Sequence, residues 1–442
     1  MMTAAMQSPT ASASDSAGPA YIAGGGIARP RRPAVLARIP WEWLGWGVLV
    51  AAFLLGFGIA VARVVGDGCT DFTGFCKAGR HVLEHGSRDP TSCLIRYWPS
   101  ADVPWVFFAL LPLPLGAAIW YAVGTWSWFG LLRTIHGQLL AGDDPASRHS
   151  VLVAGLLAAP LAIDGLCLGS FHVLMVWLMA AGLLRACRGR TWSGGLLLGL
   201  ASWLKLLPLL GVGYLLLKRR WGSASLALGF TVLFDVVLSL AAFGPGGAWR
   251  EHAAWWHRGV TATMYRQLAR ERVGEEDRPT NQSLAVTVRR LLSSHGNPMD
   301  PARRRVILAE LTPQQLQAVF LGTTALLAAG IAAFCRRDRK GSPPRQGSDE
   351  LPAQIALVVL ATLWFSPVVW SYHLTAATPA LAVVLYRCRH HQAVAWAVIG
   401  VWLTALSLLA CPVARAAGIL FWLSLLLGLA LVRTRPAEPA PQ

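Results

Sequence analysis

Charge is scarce along this chain: only 14% of its 442 residues are charged, against about a quarter in soluble domains. Hydrophobic residues make up 55% and the mean hydropathy is +0.48, which excludes an ordinary soluble domain and leaves lipid as the solvent for most of the chain. Acid is scarcer still, 22 residues against 39 basic ones, for a net charge of +17. The excess base falls in short clusters beside apolar runs, where it orients helices and meets anionic membrane lipids. No folded basic domain is left for nucleic acid, and none is expected as a partner. The eight cysteines are scattered without zinc spacing, so no metal site is expected. The sequence has no Gly-Lys-Ser/Thr loop for a nucleotide phosphate and no short repeat. Cys69, Cys76 and Cys93 fall within one loop, where an oxidising compartment would allow one disulfide and leave one thiol free.

What is present is a succession of apolar runs. Residues 1–40 are rich in Ala, Ser, Gly and Pro and close on Arg29, Arg31, Arg32 and Arg38, as a disordered cytoplasmic tail would. The apolar run that follows is too long and starts too late for a cleavable signal. It predicts a first span from about Trp43 to Val65, with Trp41, Trp43 and Trp46 as an interfacial belt. Further helices are predicted at roughly 103–132, 150–163, 167–186, 191–204, 206–217, 222–243, 316–334, 352–366, 374–386, 393–410 and 414–432. The fold class is therefore all-α, a polytopic integral membrane protein of about twelve spans (ten to thirteen) with both termini inside. The transmembrane domain covers 41–434, and 435–442 is a tail. Breaking 191–217 at Lys205 puts Arg185–Arg190, Lys218-Arg219-Arg220, Arg336–Lys340, Arg387–Arg389 and Arg433–Arg435 on the cytoplasmic side; one long span there would invert everything downstream. The outer side then holds 64–102, the tip at Lys205, the long segment 244–315 and the turn 367–373.

Several polar residues in these outer connections have the chemistry of a site. Asp71 stands a few residues beyond the first apolar run. Burial against low-dielectric lipid raises a carboxyl group into the range of a usable base, whereas in open water Asp71 is a solvated loop acid; Asp67 is its rival. Lys205 lies in Trp203-Leu204-Lys205-Leu206-Leu207-Pro208, where an ammonium costs roughly 2.5–3.5 kcal/mol. Either it snorkels to the interface or it meets an anion, of which a lipid phosphate is the obvious one. Asn281-Gln282-Ser283 precedes Arg289-Arg290, as a helix cap or a polar face. Ser366-Pro367-Val368-Val369-Trp370-Ser371-Tyr372-His373 ends one helix at Pro367 and opens the next at a histidine that either packs or donates. Trp249, Trp255 and Trp256 suit a sugar face or an interfacial anchor.

The order of Asp71, Gly79, Leu83–Pro90, Tyr97-Trp98-Pro99, Pro112-Leu113-Pro114 and Ile119-Trp120 resembles the start of polyprenol-phosphate-sugar-dependent glycosyltransferases of the GT-C class, particularly glycosyltransferase family 87. The stretch Gly194–Ala201, Lys205, Pro208 and Tyr214–Trp221 is similar to that family's most extensive local pattern, and Ser366–His373 resembles its Ser-Pro-x-x-Trp-x-x-His-like turn. The resemblance implies a GT-C-like helical fold with Asp71 as catalytic base. It implies Lys205 and His373 on the donor phosphate, Trp370 and Tyr372 beside them, and Asn281 and Gln282 on a polar face near the sugar. Where the family has a Gly-Gln-x-Asn turn, this chain has Gly169-Ser170-Phe171-His172, so His172 replaces an amide and bears on the sugar or acceptor.

A sugar nucleotide is not available outside a cell, so a sugar used there arrives on a lipid. The expected activity is transfer of a hexose, mannose by the resemblance, from a polyprenyl-phosphate-sugar donor to a lipid or glycan acceptor on the outer face of the plasma membrane. The lipid-linked donor is a co-substrate, and no cofactor is expected. Two other readings compete: a transporter or flippase of lipid-linked sugars, and a catalytically silent scaffold for envelope assembly. A transporter would carry charges deep in several helices, whereas Asp235 is the one ionisable residue well inside a confident span.

Overall fold

The computed structural model describes residues 41–66, 70–89, 97–140, 144–257, 280–293, 306–336 and 350–434. Asp67, Cys69, Cys93, both tails and most of the 258–305 segment lie outside the described residues. Cys76 is a buried free thiol, so the disulfide considered above leaves it out.

Among the described residues the chain is helical and has no strand. In chain order the helices are α1 (Trp41–Gly66), α2 (Asp71–His85), α3 (Pro104–Ala109), α4 (Leu113–Thr134), α5 (Pro145–Leu168), α6 (His172–Cys187), α7 (Thr191–Leu204), α8 (Leu209–Leu217), α9 (Trp221–Trp255), α10 (Leu284–Leu292), α11 (Pro313–Arg336), α12 (Glu350–Trp364), α13 (Thr378–Arg387), α14 (Gln392–Ser407), α15 (Pro412–Ala416) and α16 (Ile419–Arg433). Among the described residues, six helical segments are long and apolar enough to cross a membrane: Trp41–Gly66, Leu113–Leu139, Pro145–Leu168, Trp221–Trp255, Pro313–Arg336 and Gln392–Ala410. Each of the other predicted spans has a shorter helix in place, from 9 residues in α8 to 16 in α6. Helix length counts six crossings among the described residues, and the figure of about twelve spans is not confirmed by it. A helix satisfies most of its backbone groups internally, which is what lipid requires of a spanning segment.

Helices α5, α6, α12 and α13 form the buried centre, with Met175, Met179, Leu183, Val359, Leu360 and Val384 among its fully enclosed side chains. Around them α6 packs on α7, α7 on α9 and α1 on α5. Helices α11 and α14 lie at the rim, mostly exposed, as lipid-facing helices of a bundle do.

Two features shape the end of the bundle that matters below. The first is α2, which the span-length reading took as loop. Thr70 caps it: Thr73 N–H donates to Thr70 Oγ1 (3.3 Å) and Thr70 N–H to Thr73 Oγ1 (3.1 Å). It stops at Gly86, in the left-handed region at φ 60°. Its apolar stripe of Phe72, Phe75, Cys76, Gly79 and Val82 is buried, and Gly79 lets α2 press on α3, since a Cβ there would lie 2.3 Å from the Trp105 backbone.

The second is the bend in α9 at Gly244, whose φ 67° and ψ 173° suit glycine alone. In a straight helix Asp235 and His252 would stand about 25 Å apart along the axis. The bend brings His252 Nε2 to 2.6 Å from Asp235 Oδ2. Ser100 closes the knot, donating its N–H (3.2 Å) and Oγ–H (2.7 Å) to Asp235 Oδ1 and accepting from Trp203 Nε1 (2.7 Å). Trp255 stacks on Trp98 with centroids 4.8 Å apart. Asp235 thus serves the packing of the bend.

Candidate active site

Where α1, α5 and α7 end and α6, α8 and α13 begin, the helix termini converge. α2 lies across this end, and its first residue is Asp71. The turn between α5 and α6 holds it there: Gly169, at φ 86°, leaves no room for a Cβ, which would come 2.4 Å from Phe72 Cβ. The next residue in the chain from Asp71 is thus pressed directly on the Gly169-Ser170-Phe171-His172 turn.

Asp71 is largely buried, and that burial pushes its carboxyl above the ordinary value, against the Tyr372 hydroxyl and the Lys205 charge, which favour the carboxylate. Tyr372 Oη donates to Asp71 Oδ2 at 3.4 Å. Tyr372 belongs to the short 3₁₀ turn Ser371–Ala377 that leads into α13. Next to it, His373 accepts from Trp370 N–H at Nδ1 (2.8 Å), and His172 Nε2 donates to the His373 carbonyl (2.9 Å). The two imidazoles meet edge to face, centroids 4.5 Å apart.

Lys205 ends α7 in extended backbone (φ −155°, ψ 141°), and the helix resumes at Leu209 after Pro208. This break aims the side chain inward rather than along a helix face, and Nζ lies 3.1 Å from His373 Nε2. Burial pulls the ammonium down to about 8, and the nearby Asp71 opposes that. A snorkelling lysine would keep its ordinary value; this one is partly buried and turned toward His373.

Of the predicted residues, Asp71, Lys205, His172, Tyr372 and His373 thus meet in one cluster, with Trp370 supplying the backbone N–H that orients His373. Asn281 and Gln282 stand one layer behind. Asn281 Oδ1 accepts from Val369 N–H (3.0 Å) and Ser283 N–H (3.1 Å), and Gln282 N–H donates to Val369 O (2.7 Å). Gln282 Nε2 donates to Arg415 O (2.8 Å), while Oε1 accepts from Leu420 N–H (3.3 Å). Both side chains are buried, and they strap the Ser366–Trp370 loop to α15 and α16.

Sequence reasoning passed over two contributors. Asp164, in the last turns of α5, accepts from Ser371 Oγ at 3.2 Å, so it anchors the turn that presents Tyr372 and His373. It falls one residue past the predicted end of that span, which hid it. Ser170 hydrogen-bonds Tyr372 and sits in the turn that was read only for its missing amides. Among the described residues no group of three or more His, Cys, Asp and Glu is set to hold a metal ion.

Fold and site together define a multi-pass membrane protein with a buried acid, lysine and histidine pair gathered at one end of its helices. The chain belongs to glycosyltransferase family 87, which it matches over residues 96–367, and it is a membrane glycosyltransferase. Lys205, His172, Asn281 and Gln282 fall inside that match; Asp71 precedes it and Trp370, Tyr372 and His373 follow it. The chain is 29% identical over 380 residues (83% of this chain, 76% of the relative) to a polyprenol-phosphate-mannose-dependent alpha-(1-2)-phosphatidylinositol mannoside mannosyltransferase of Mycolicibacterium smegmatis. It is 28% identical over 249 residues (54% of this chain, 48% of the relative) to a protein of the same description from Mycobacterium tuberculosis. A third relative, a polyprenol-phosphate-mannose-dependent alpha-(1-2)-phosphatidylinositol pentamannoside mannosyltransferase of M. smegmatis, is 27% identical over 328 residues (72% and 67%). No solved structure matches the chain.

Proposed function

We propose that this protein transfers mannose from a polyprenyl-phosphate-mannose donor to a lipid or glycan acceptor at the extracytoplasmic face of the plasma membrane, inverting the anomeric carbon. Membership of the family and the activity of its polyprenol-phosphate-mannose-dependent relatives support the donor class. The observation that carries the mechanism is the meeting of Asp71, Lys205 and His373 across 301 residues of chain, through Tyr372. Asp71 takes the proton of the acceptor hydroxyl as that oxygen attacks the anomeric carbon, while the bond to the phosphate oxygen breaks on the opposite face. Lys205 and His373 Nε2–H stabilise the departing phosphate. Tyr372 and Trp370 border the sugar, His172 sets the His373 backbone, and Asn281 and Gln282 act by holding the loop.

The basic clusters support the sidedness. At the far end of the helices Arg188 donates to the Gln138 carbonyl, Arg220 to that of Cys187 and Arg387 to those of Leu431 and Thr434; a cation-rich end belongs in the cytoplasm. The test is transfer from labelled polyprenyl-phosphate-mannose to a water-soluble acceptor analogue in sealed right-side-out vesicles. Product is expected with no sugar nucleotide present. Transfer that requires a sugar nucleotide, or that occurs only in inverted vesicles, would overturn this reading.

A further inference from the structure

The contact between Lys205 and His373 holds one hydrogen too many if both groups carry their usual protons. Because Trp370 N–H donates to His373 Nδ1, the neutral ring carries its own hydrogen on Nε2. Burial, and after it the charge of Lys205, keeps that ring well below the ordinary imidazole value, so a second ring proton is disfavoured. An ammonium has three donors and no acceptor. At 3.1 Å an ammonium and an Nε2–H would face each other donor to donor. The contact closes as a hydrogen bond when Lys205 is an amine that accepts from Nε2–H. It opens again when an anion arrives that accepts from both.

The proton that Lys205 gives up has few places to go. The titratable groups around it are Asp71 on α2, His172 at the start of α6, and Tyr372 and His373 on the turn before α13. His172 Nε2 already donates to the His373 carbonyl, and the Tyr372 hydroxyl holds its proton and aims it at Asp71. Asp71 remains, an enclosed carboxyl with a hydroxyl on one oxygen only.

We propose that Asp71 and Lys205 rest as carboxylic acid and amine, and that binding of the donor phosphate moves one proton from Asp71 to Lys205, so that the donor itself arms the base. One O–H bond breaks at the Asp71 carboxyl and one N–H bond forms at Lys205 Nζ. The products are a carboxylate and an ammonium, and no proton is exchanged with water. Burial raises the carboxyl and lowers the ammonium, which narrows the gap that the phosphate charge has to close. The proposal rests on the reading of Asp71 as base and Lys205 as phosphate contact. It adds that the base is idle until a donor is in place, which protects the site from futile deprotonation of an acceptor.

The test is infrared difference spectroscopy of the full-length protein in lipid nanodiscs, using farnesyl phosphate as the probe. The carbonyl stretch of a protonated carboxyl, assigned with carboxyl-labelled aspartate, is expected before ligand and lost at saturation. Asp71→Asn should lack it throughout. Lys205→Arg should lack it even without ligand, because a guanidinium does not give up its proton. A protonated-aspartate band that is absent from the wild type before ligand, or that survives saturation, overturns the proposal, and the labelled wild type decides this if a variant does not fold. Farnesyl phosphate affinity, followed on the same samples, separates the two levels. Affinity unchanged in Lys205→Ala sinks the phosphate-contact reading itself, whereas a weakened Lys205→Ala with an ionised resting Asp71 sinks only the proton transfer.

Discussion

Two acid–tyrosine pairs stand at opposite ends of α5, about 36 Å apart by its 24 residues. At one end Tyr372 Oη donates to Asp71 Oδ2 (3.4 Å), and at the other Tyr386 Oη donates to Asp144 Oδ2 (2.9 Å). Each acid also stands at a helix start, Asp71 as the first residue of α2 and Asp144 as the N-cap of α5. The pairing is the same and the surroundings are not. Burial dominates at Asp71 and raises its carboxyl. At Asp144 burial is slight, and the Ala146 N–H, Tyr386 and Arg389 outweigh it to hold the carboxyl below its usual value. One acid is kept available for a proton; the other is spent on a helix cap. A motif-level view that scores aspartates by their hydrogen-bond partners would rank them together, and the difference comes from what encloses them.

The comparison can be broken at several points, taken from the largest expected effect down. Asn preserves the shape of either side chain and removes its basicity. Asp71→Asn should lower turnover by about 10²- to 10⁴-fold, while Asp144→Asn should leave turnover near wild type, both measured as labelled-mannose transfer at matched expression. Equal losses at the two ends would mean that neither acid is the base.

The cations give a second, smaller contrast. Lys205→Ala removes a charge-assisted phosphate contact of roughly 1.5–3 kcal/mol, about a 10- to 100-fold rise in the donor KM. Arg389, whose Nε lies 4.0 Å from Asp144 Oδ2, should give no change in donor KM when replaced by alanine. A donor KM indifferent to Lys205 would return that residue to the role of an interfacial snorkel.

The tyrosines give the finest contrast, in pH dependence. The donor-bound base works as its carboxylate, so kcat falls as pH drops through the Asp71 value, which burial places above the usual 3.8. Tyr372→Phe removes a donor that favours the carboxylate, so the acid limb should move to still higher pH. At Asp144 the shift runs downward and bears on stability instead. Its depressed value contributes stability above the unfolded-state value, and that stability is lost as pH falls through the folded one. Tyr386→Phe should therefore leave the kcat limb in place. An acid limb that does not move in Tyr372→Phe would detach that hydroxyl from the working acid.

Much of this end of the molecule was legible in advance, where the signal was local. Helix α7 has the predicted bounds 191–204, and the break at Lys205 follows from a lysine and a proline three residues apart inside an apolar run. Helix α2 was overlooked although its stripe of Phe72, Phe75, Cys76, Gly79 and Val82 has helical spacing; a search for spans long enough to cross lipid passes over a helix of 15 residues. The region 103–132 reads as one span, yet it divides into α3 and α4 at Pro112. Asn281 and Gln282 were visible as polar residues near a turn, but the contacts that tie them to distant loops are to backbone atoms 86 to 138 positions away, and backbone atoms carry no sequence signature. Asp164 was hidden by a boundary drawn one residue short.

The span of chain between Asp71 and Tyr372 also sets an order of events during synthesis. The bend of α9 closes on a pair only 17 residues apart, so it is able to form soon after its residues emerge. The working cluster has to wait. Lys205 reaches His373 across 168 residues and Asp71 reaches Tyr372 across 301, and contacts so distant in sequence are the slow ones to close. Until the turn at 371–373 has left the ribosome, Asp71 and Lys205 are each without that turn's contribution. A chain interrupted anywhere before that point would carry most of its helices and none of its assembled chemistry, so a nascent enzyme stays silent through most of its own translation.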